Sequence, residues 1–202
     1  MRSYLTIMFV MIVTIVKSQA HGGIEQYYYT AAGEPVIVPK VYYESRHHWY
    51  GEMRYNYEGF QTVSVNAGKV FSNKGLLFFS VTPFAGIVLG RLNGGTLGSN
   101  IKMEYNRLFF SSESQYTFSL EKRVDNFFFN WSEVGCELNK TFYAGLALQV
   151  TQLYKRENTW EPGAMIGLTY KNWTFPFYAF SPGGDKPNFV LGINWEWKHV
   201  KS

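Results

Sequence analysis

From residue 49 onward, side-chain polarity alternates with period two. Trp49, Gly51, Met53, Tyr55 and Tyr57 fall on one face, and Tyr50, Glu52, Arg54, Asn56 and Glu58 on the other. After a break at Gly59, Phe60 and Gln61, Val63, Val65 and Ala67 alternate with Ser64, Asn66 and Gly68. Period two over this length predicts two β-strands joined by a hairpin. The pattern recurs to the end of the chain, and about ten strands are predicted: 48–58, 62–71, 76–90, 99–106, 108–120, 126–136, 141–154, 161–170, 173–180 and 188–198. Eight or twelve are the alternatives. Pro83 and Pro176 lie inside predicted strands and imply irregularity there, because proline removes a ladder donor.

The predicted outward face carries Phe79, Val81, Ile87, Leu89, Ile101, Met103, Phe110, Phe118, Leu146, Leu148, Ile166, Leu168, Leu191 and Ile193. The sixth strand reads less cleanly. Phe127, Phe129 and Trp131 fall on the outward parity against Asn130 and Ser132, which places Glu133 toward lipid. A bulge or a position at the headgroup boundary would resolve that conflict. Connections alternate in length. The turns at 72–75, 106–107, 137–140 and 171–172 are tight, while 90–98, 155–160 and 181–187 are longer and rich in glycine or polar residues; 59–61 is short and breaks the rule. Short periplasmic turns and long external loops are the signature of an outer-membrane barrel.

The front of the chain supports export. Arg2 precedes an apolar run, and small residues end at Ala20, so residues 1–20 read as a cleaved signal peptide; the run is too short to span a bilayer as a helix. Residues 21–47 contain Gly22, Gly23, Gly33, Pro35 and Pro39 and read as a periplasmic lead-in. The barrel is expected over 48–198, followed by a tail at 199–202. No second long apolar segment follows the signal, which excludes a helical membrane protein. The single Cys136 allows no internal disulfide. Aromatic residues make up 19% of the chain, which suits interfacial girdles of Trp and Tyr. Loss of Arg2 and Lys17 with the signal lowers the net charge from +4 to +2, and no basic run points to nucleic acid.

Four stretches carry a family resemblance: Arg54 to Glu58, Val81 to Gly86, Ser114 to Phe118, and Asn130 to Glu133. They resemble small porin-like outer-membrane β-barrel proteins of Bacteroidota type. The resemblance implies an antiparallel up-and-down transmembrane barrel in the bacterial outer membrane, among its lipids. It also implies insertion by the barrel-assembly machinery, which reads an aromatic end. Trp195, Glu196 and Trp197 fit that signal, but Lys198 to Ser202 follow it.

Candidate chemistry is sparse. His47 and His48 fall at the start of the first strand and His199 at the end of the last, so the three approach one another if the barrel closes. The only aspartates, Asp125 and Asp185, lie in predicted external loops without a histidine beside them. No catalytic set, resident metal or cofactor is expected. Glu52, Arg54, Glu58, Lys102, Glu104, Glu113 and Glu196 share the inward parity and are the expected lumen lining. They form either a cation-preferring conduit for ions or small solutes, or a packed salt-bridge network that plugs a narrow barrel. In the second case the protein is a structural or interaction barrel. Arg91, Lys122, Arg123, Lys155, Arg156 and Lys186 fall in predicted external loops, where they suit lipopolysaccharide phosphates or a protein partner. A soluble secreted barrel is the remaining alternative; it needs an apolar interior and an outward charged face.

Overall fold

The computed structural model describes residues 21–30, 35–73, 75–121, 126–153, 158–184 and 187–198. Thirteen extended segments follow one another in antiparallel order: β1 (His21–Tyr29), β2 (Val36–Glu44), β3 (Trp49–Tyr55), β4 (Thr62–Lys69), β5 (Phe71–Asn73), β6 (Phe78–Gly90), β7 (Gly94–Tyr105), β8 (Leu108–Ser119), β9 (Phe127–Glu137), β10 (Phe142–Leu153), β11 (Asn158–Tyr170), β12 (Trp173–Phe180) and β13 (Asn188–Lys198). Apart from β4 and β5, each pairs with its neighbours in the chain, and β1 pairs with β13 from His21↔Lys198 to Tyr29↔Val190, which closes the sheet. β4 and β5 both pair with β6, so they form a single wall strand and the barrel has twelve. Closure leaves no free edge, the condition for a sheet to cross a bilayer.

Prolines explain the two irregularities. Gly68↔Phe84 and Phe71↔Val81 keep one offset, so β4 and β5 are in register and the break between them faces Pro83, which has no N–H to give. The ladder between β12 and β13 likewise skips from Thr174↔Asn194 to Phe177↔Leu191, across Pro176. Gly192 leaves room for that ring, since a Cβ there would lie 2.5 Å from Pro176 Cγ.

The expected strand count falls short by two, because residues 21–47 are not a lead-in. His21–Tyr29 and Val36–Glu44 are β1 and β2, the seam that closes the barrel. Gly22 and Gly23, which suggested a loop, clear space for aromatics: a Cβ on Gly22 would sit 2.4 Å from Trp197 Cζ2, and one on Gly23 2.7 Å from the Tyr42 ring. The glycine-rich stretch at 90–98 is also mostly strand. β7 begins at Gly94, and Gly98 makes way for Phe84, whose Cζ lies 2.4 Å from where a Cβ would be.

Alternation sets the two faces. Along β3, Trp49, Met53 and Tyr55 are exposed while Glu52 and Arg54 are buried; along β4, Val63 and Val65 are exposed while Thr62, Ser64 and Asn66 are buried. The exposed belt of Phe, Leu, Ile, Val and Trp faces outward, and the polar groups face the lumen. β9 reverses the sequence reading. Its pairs Gln115↔Phe129 and Glu113↔Trp131 place Phe127, Phe129, Trp131 and Glu133 inward, and Asn130 and Ser132 outward. No bulge is needed, because Glu133 shares the lumen parity with the aromatics. The expected signal peptide at 1–20, Lys74, and the expected tail at 199–202 lie outside the described residues.

Candidate functional site

The lumen is filled by two unlike clusters. The first is polar and spans β1 to β4 and β6 to β8. Arg54 extends from β3 across to β8, where its Nη1 donates to Gln115 Oε1 at 2.7 Å and lies 2.9 Å from Glu113 Oε1. Its Nη2 donates to Glu52 Oε1 at 2.6 Å. Asn66 Nδ2 and the Tyr50 hydroxyl donate to the two oxygens of Glu52, at 3.0 and 2.7 Å. Lys40, on β2, sits 3.0 Å from Glu113, 3.4 Å from Glu25 and 3.9 Å from Glu52. Three carboxylates therefore surround two cations. Buried charge persists only with such pairing, since desolvation of an isolated ion costs several kcal/mol.

The turn between β3 and β4 folds into this cluster. Asn56 and Gln61 take positive φ, Gln61 N–H donates to Asn56 Oδ1 at 2.8 Å, and the Thr62 hydroxyl to Gly59 O at 2.6 Å. That geometry drives Tyr57 and Glu58 inward. The Tyr57 hydroxyl donates to Glu113, and its ring packs on the Arg54 guanidinium at 4.2 Å and edge-on to Phe129. The buried Glu58 carboxylate makes no well-formed hydrogen bond, with Ser64 and Gln115 as its nearby polar neighbours. Desolvation raises its pKa, against a smaller downward pull from Arg54.

The second cluster is aromatic and spans β9 to β13 with β1. Trp131 packs edge-on against Tyr178 and Phe180, each at 4.9 Å, and meets Tyr27 and Tyr29 at 6.2 and 6.4 Å. Met165, Val190 and Ala147 complete it. Glu133 is held within it by the Trp131 indole N–H at 2.5 Å and the Tyr178 hydroxyl at 2.8 Å. A smaller cluster of Val88, Leu92 and Phe127 closes the end away from the chain termini.

The seven expected lumen residues separate. Glu52, Arg54 and Glu113 meet in one network, and Glu58 caps it. Lys102 and Glu104 keep the inward parity but are exposed near the rim that carries the termini. Glu196 lies at that rim, 3.6 Å from His21. His47 and His48 are exposed in the turn there, and His48 pairs with Glu44 at 2.7 Å; His199 lies outside the described residues. No group of three metal-ligating side chains occurs among the described residues. Arg91 is exposed in the turn at 91–93, whereas Lys122, Arg123, Lys155, Arg156 and Lys186 fall outside the described residues, as do Asp125 and Asp185.

Sequence reading missed Glu25 and Lys40, because the stretch that holds them was read as a lead-in. The alternation Val38, Lys40, Tyr42 was the available signal. It also missed Glu133, through the reversed parity, and Glu161, which shares the parity of Gly163 and accepts from Gln149 at 3.0 Å.

Exposure differs along the network. The side chains of Glu52 and Arg54 are wholly shielded, while Lys40, Glu113 and Glu25 retain 11, 17 and 18% exposure. The solvent-touched groups lie where the polar cluster faces Tyr27 and Tyr29. They define a seam between the two clusters.

No protein-family model matches the chain, and no curated protein matches it in sequence. Solved structures do match in fold. The KdgM porin superposes with a TM-score of 0.60 at 11% identity, covering 86% of this chain and 98% of that one. The same protein in complex with disordered oligogalacturonate gives 0.59 at 10% identity, over 87% and 98%. The NanC porin gives 0.60 at 11% identity, over 86% and 98%. The chain thus has the closed antiparallel fold of these solved porins, with an exposed apolar belt around its outer wall.

Proposed function

We propose that this porin-like barrel is a narrow passage for ions or small solutes, with its route along the seam between the polar and aromatic clusters. The graded exposure carries the reading: Lys40, Glu25 and Glu113 touch solvent, whereas Glu52 and Arg54 behind them do not. Carboxylates outnumber cations along that route, which favours passage of cations. The rim that carries the termini faces the periplasm, consistent with export of the chain by residues 1–20. Arg91 then lies on the external side, within reach of lipopolysaccharide phosphates, as the sequence suggests for Lys122, Arg123, Lys155, Arg156 and Lys186. Trp195 and Trp197 supply the aromatic end read by the assembly machinery. The likeness to Bacteroidota-type barrels agrees with this arrangement, and nothing in it calls for catalysis or a cofactor.

A second reading has its own observation. Arg54, Met165, Tyr178, Phe180 and Val190 are all but sealed from solvent, as in a plugged structural barrel. Single-channel recording of the mature protein in a planar bilayer separates the two. Discrete steps are expected, with a reversal potential in a salt gradient that shows cation preference. Lys40→Met should strengthen that preference. Silence from inserted, folded protein would reject the passage and favour the plugged barrel.

A further inference from the structure

The reversed parity of β9 leaves hydrogen-bonding groups on the outer wall. Asn130 and Ser132 point outward beside Ser112 and Ser114 of β8, and Ser99 of β7 pairs directly with Ser114. These residues sit at mid-height. Leu108 and Phe110 flank them toward one rim of β8, and Tyr116 and Phe118 toward the other. On β9 the flanking outward residues are Phe128 and Val134, and on the neighbouring β10 they are Leu146 and Leu148. The patch thus lies at the depth where other outward positions are occupied by Phe, Leu, Val and Ile. Among the described residues the other polar side chain midway along the outer wall is Gln26, and it donates to the Tyr28 hydroxyl at 2.7 Å.

The patch is bonded internally but not completely. Asn130 Nδ2 faces three acceptors, Ser114 Oγ at 2.8 Å, Ser112 Oγ at 3.0 Å and Glu113 O at 3.3 Å, with only two hydrogens to give. The Ser132 hydroxyl donates to Asn130 Oδ1 at 2.8 Å, so the 2.9 Å contact between Ser112 and Ser132 is a donation from Ser112. That assignment leaves the hydroxyl hydrogens of Ser114 and Ser99, adjacent across the β7–β8 pair, with no acceptor among the described residues. Hydrocarbon offers none either, and an unmade hydrogen bond costs more there than in water.

We infer that this β7–β9 face is where two copies of the chain associate within the membrane. At mid-bilayer depth a soluble partner cannot reach it, so the occupant is another transmembrane wall. A second copy fits best, because serine hydroxyls and an asparagine amide donate and accept equally and carry no charge. A two-fold axis along the membrane normal presents the same patch to itself at the same depth, as an isologous interface requires. The short side chains let two walls approach closely enough for those bonds. The inference rests on the outer-membrane reading but not on an open passage.

The test is subunit counting by single-molecule photobleaching of singly labelled mature protein, dilute in a supported lipid bilayer. Two-step bleaching is expected for most spots. Ser112→Leu with Asn130→Leu and Ser132→Leu should return one-step bleaching; Ser114→Trp, a steric block, serves as a second variant if the triple change does not give the compact band of a folded barrel in unheated gels. One-step bleaching of the unaltered protein would overturn the inference. So would two-step bleaching that survives either folded variant, since the interface would then lie elsewhere. Failure of the protein to float with vesicles would instead reject the membrane reading itself.

Discussion

On one side of the lumen Arg54 reaches from β3 to Glu113 and Gln115 on β8; on the other, Trp131 stands among Tyr178, Phe180, Tyr27 and Tyr29. Both regions fill the same barrel, but they fail differently. In the polar region the energy of one group depends on its partners, because Glu52 and Arg54 at its centre are wholly shielded and have no water to turn to if left alone. In the aromatic region the energy is spread over contact area and falls roughly with the volume removed. A single deletion should therefore be harsher in the first, and a joint deletion milder.

The largest expected effect tests that contrast. Arg54→Met leaves Glu52 and Glu113 short of a cation and should lower unfolding stability by about 4 kcal/mol in a urea titration of vesicle-embedded protein. Adding Glu52→Gln and Glu113→Gln should recover most of the loss. A triple variant as unstable as the single one would show that packing, rather than uncompensated charge, dominates there. Next, Trp131→Ala should cost about 3 kcal/mol through the cavity it opens. Trp131→Phe keeps a ring but strips the indole N–H from Glu133, and should cost about 1 kcal/mol. Equal losses for the two changes would contradict the area-based account.

Glu58 gives an effect of the same small size and sharpens the boundary between the regions. Desolvation raises its pKa, so the folded chain holds this proton more tightly than the unfolded chain. The associated stability is present below the ordinary carboxylate range and is lost as pH rises through the folded value. Glu58→Gln should flatten that part of the pH profile and gain about 1 kcal/mol at pH 8 relative to the unaltered protein. An unchanged difference between the two proteins from pH 4 to pH 8 would show that Glu58 is not desolvated in the folded barrel.

Much of the barrel was legible in the chain. Strands β3, β4, β6, β8, β10, β11 and β13 present the faces that alternation predicts, and Glu52, Arg54 and Glu113 fall on the inward face. The illegible parts share a cause. Gly22, Gly23, Gly94 and Gly98 are the marks of a loop when taken alone. Gly22, Gly23 and Gly98 accept the Trp197, Tyr42 and Phe84 side chains and Gly94 the close approach of the Phe118 backbone, all remote in sequence, and no local window contains both members of such a pair. Lys40 and Glu25 were lost with the strands that carry them.

β9 shows where period two stops being informative. Its two faces, Phe127, Phe129 and Trp131 against Asn130 and Ser132, alternate cleanly, and hydrophobicity alone assigns the aromatics to lipid. Register with β8 assigns them to the lumen, because Gln115↔Phe129 and Glu113↔Trp131 fix which face is shared. Local alternation is a property of the strand, and it determined that this chain makes strands, with one face for lipid and one for an interior. Pairing register is a property of two strands, and closure of twelve. The tertiary structure therefore decided the strand number, the orientation of β9, and which carboxylates meet Arg54 and Lys40, since each depends on contacts between residues that the chain brings together only when the sheet closes.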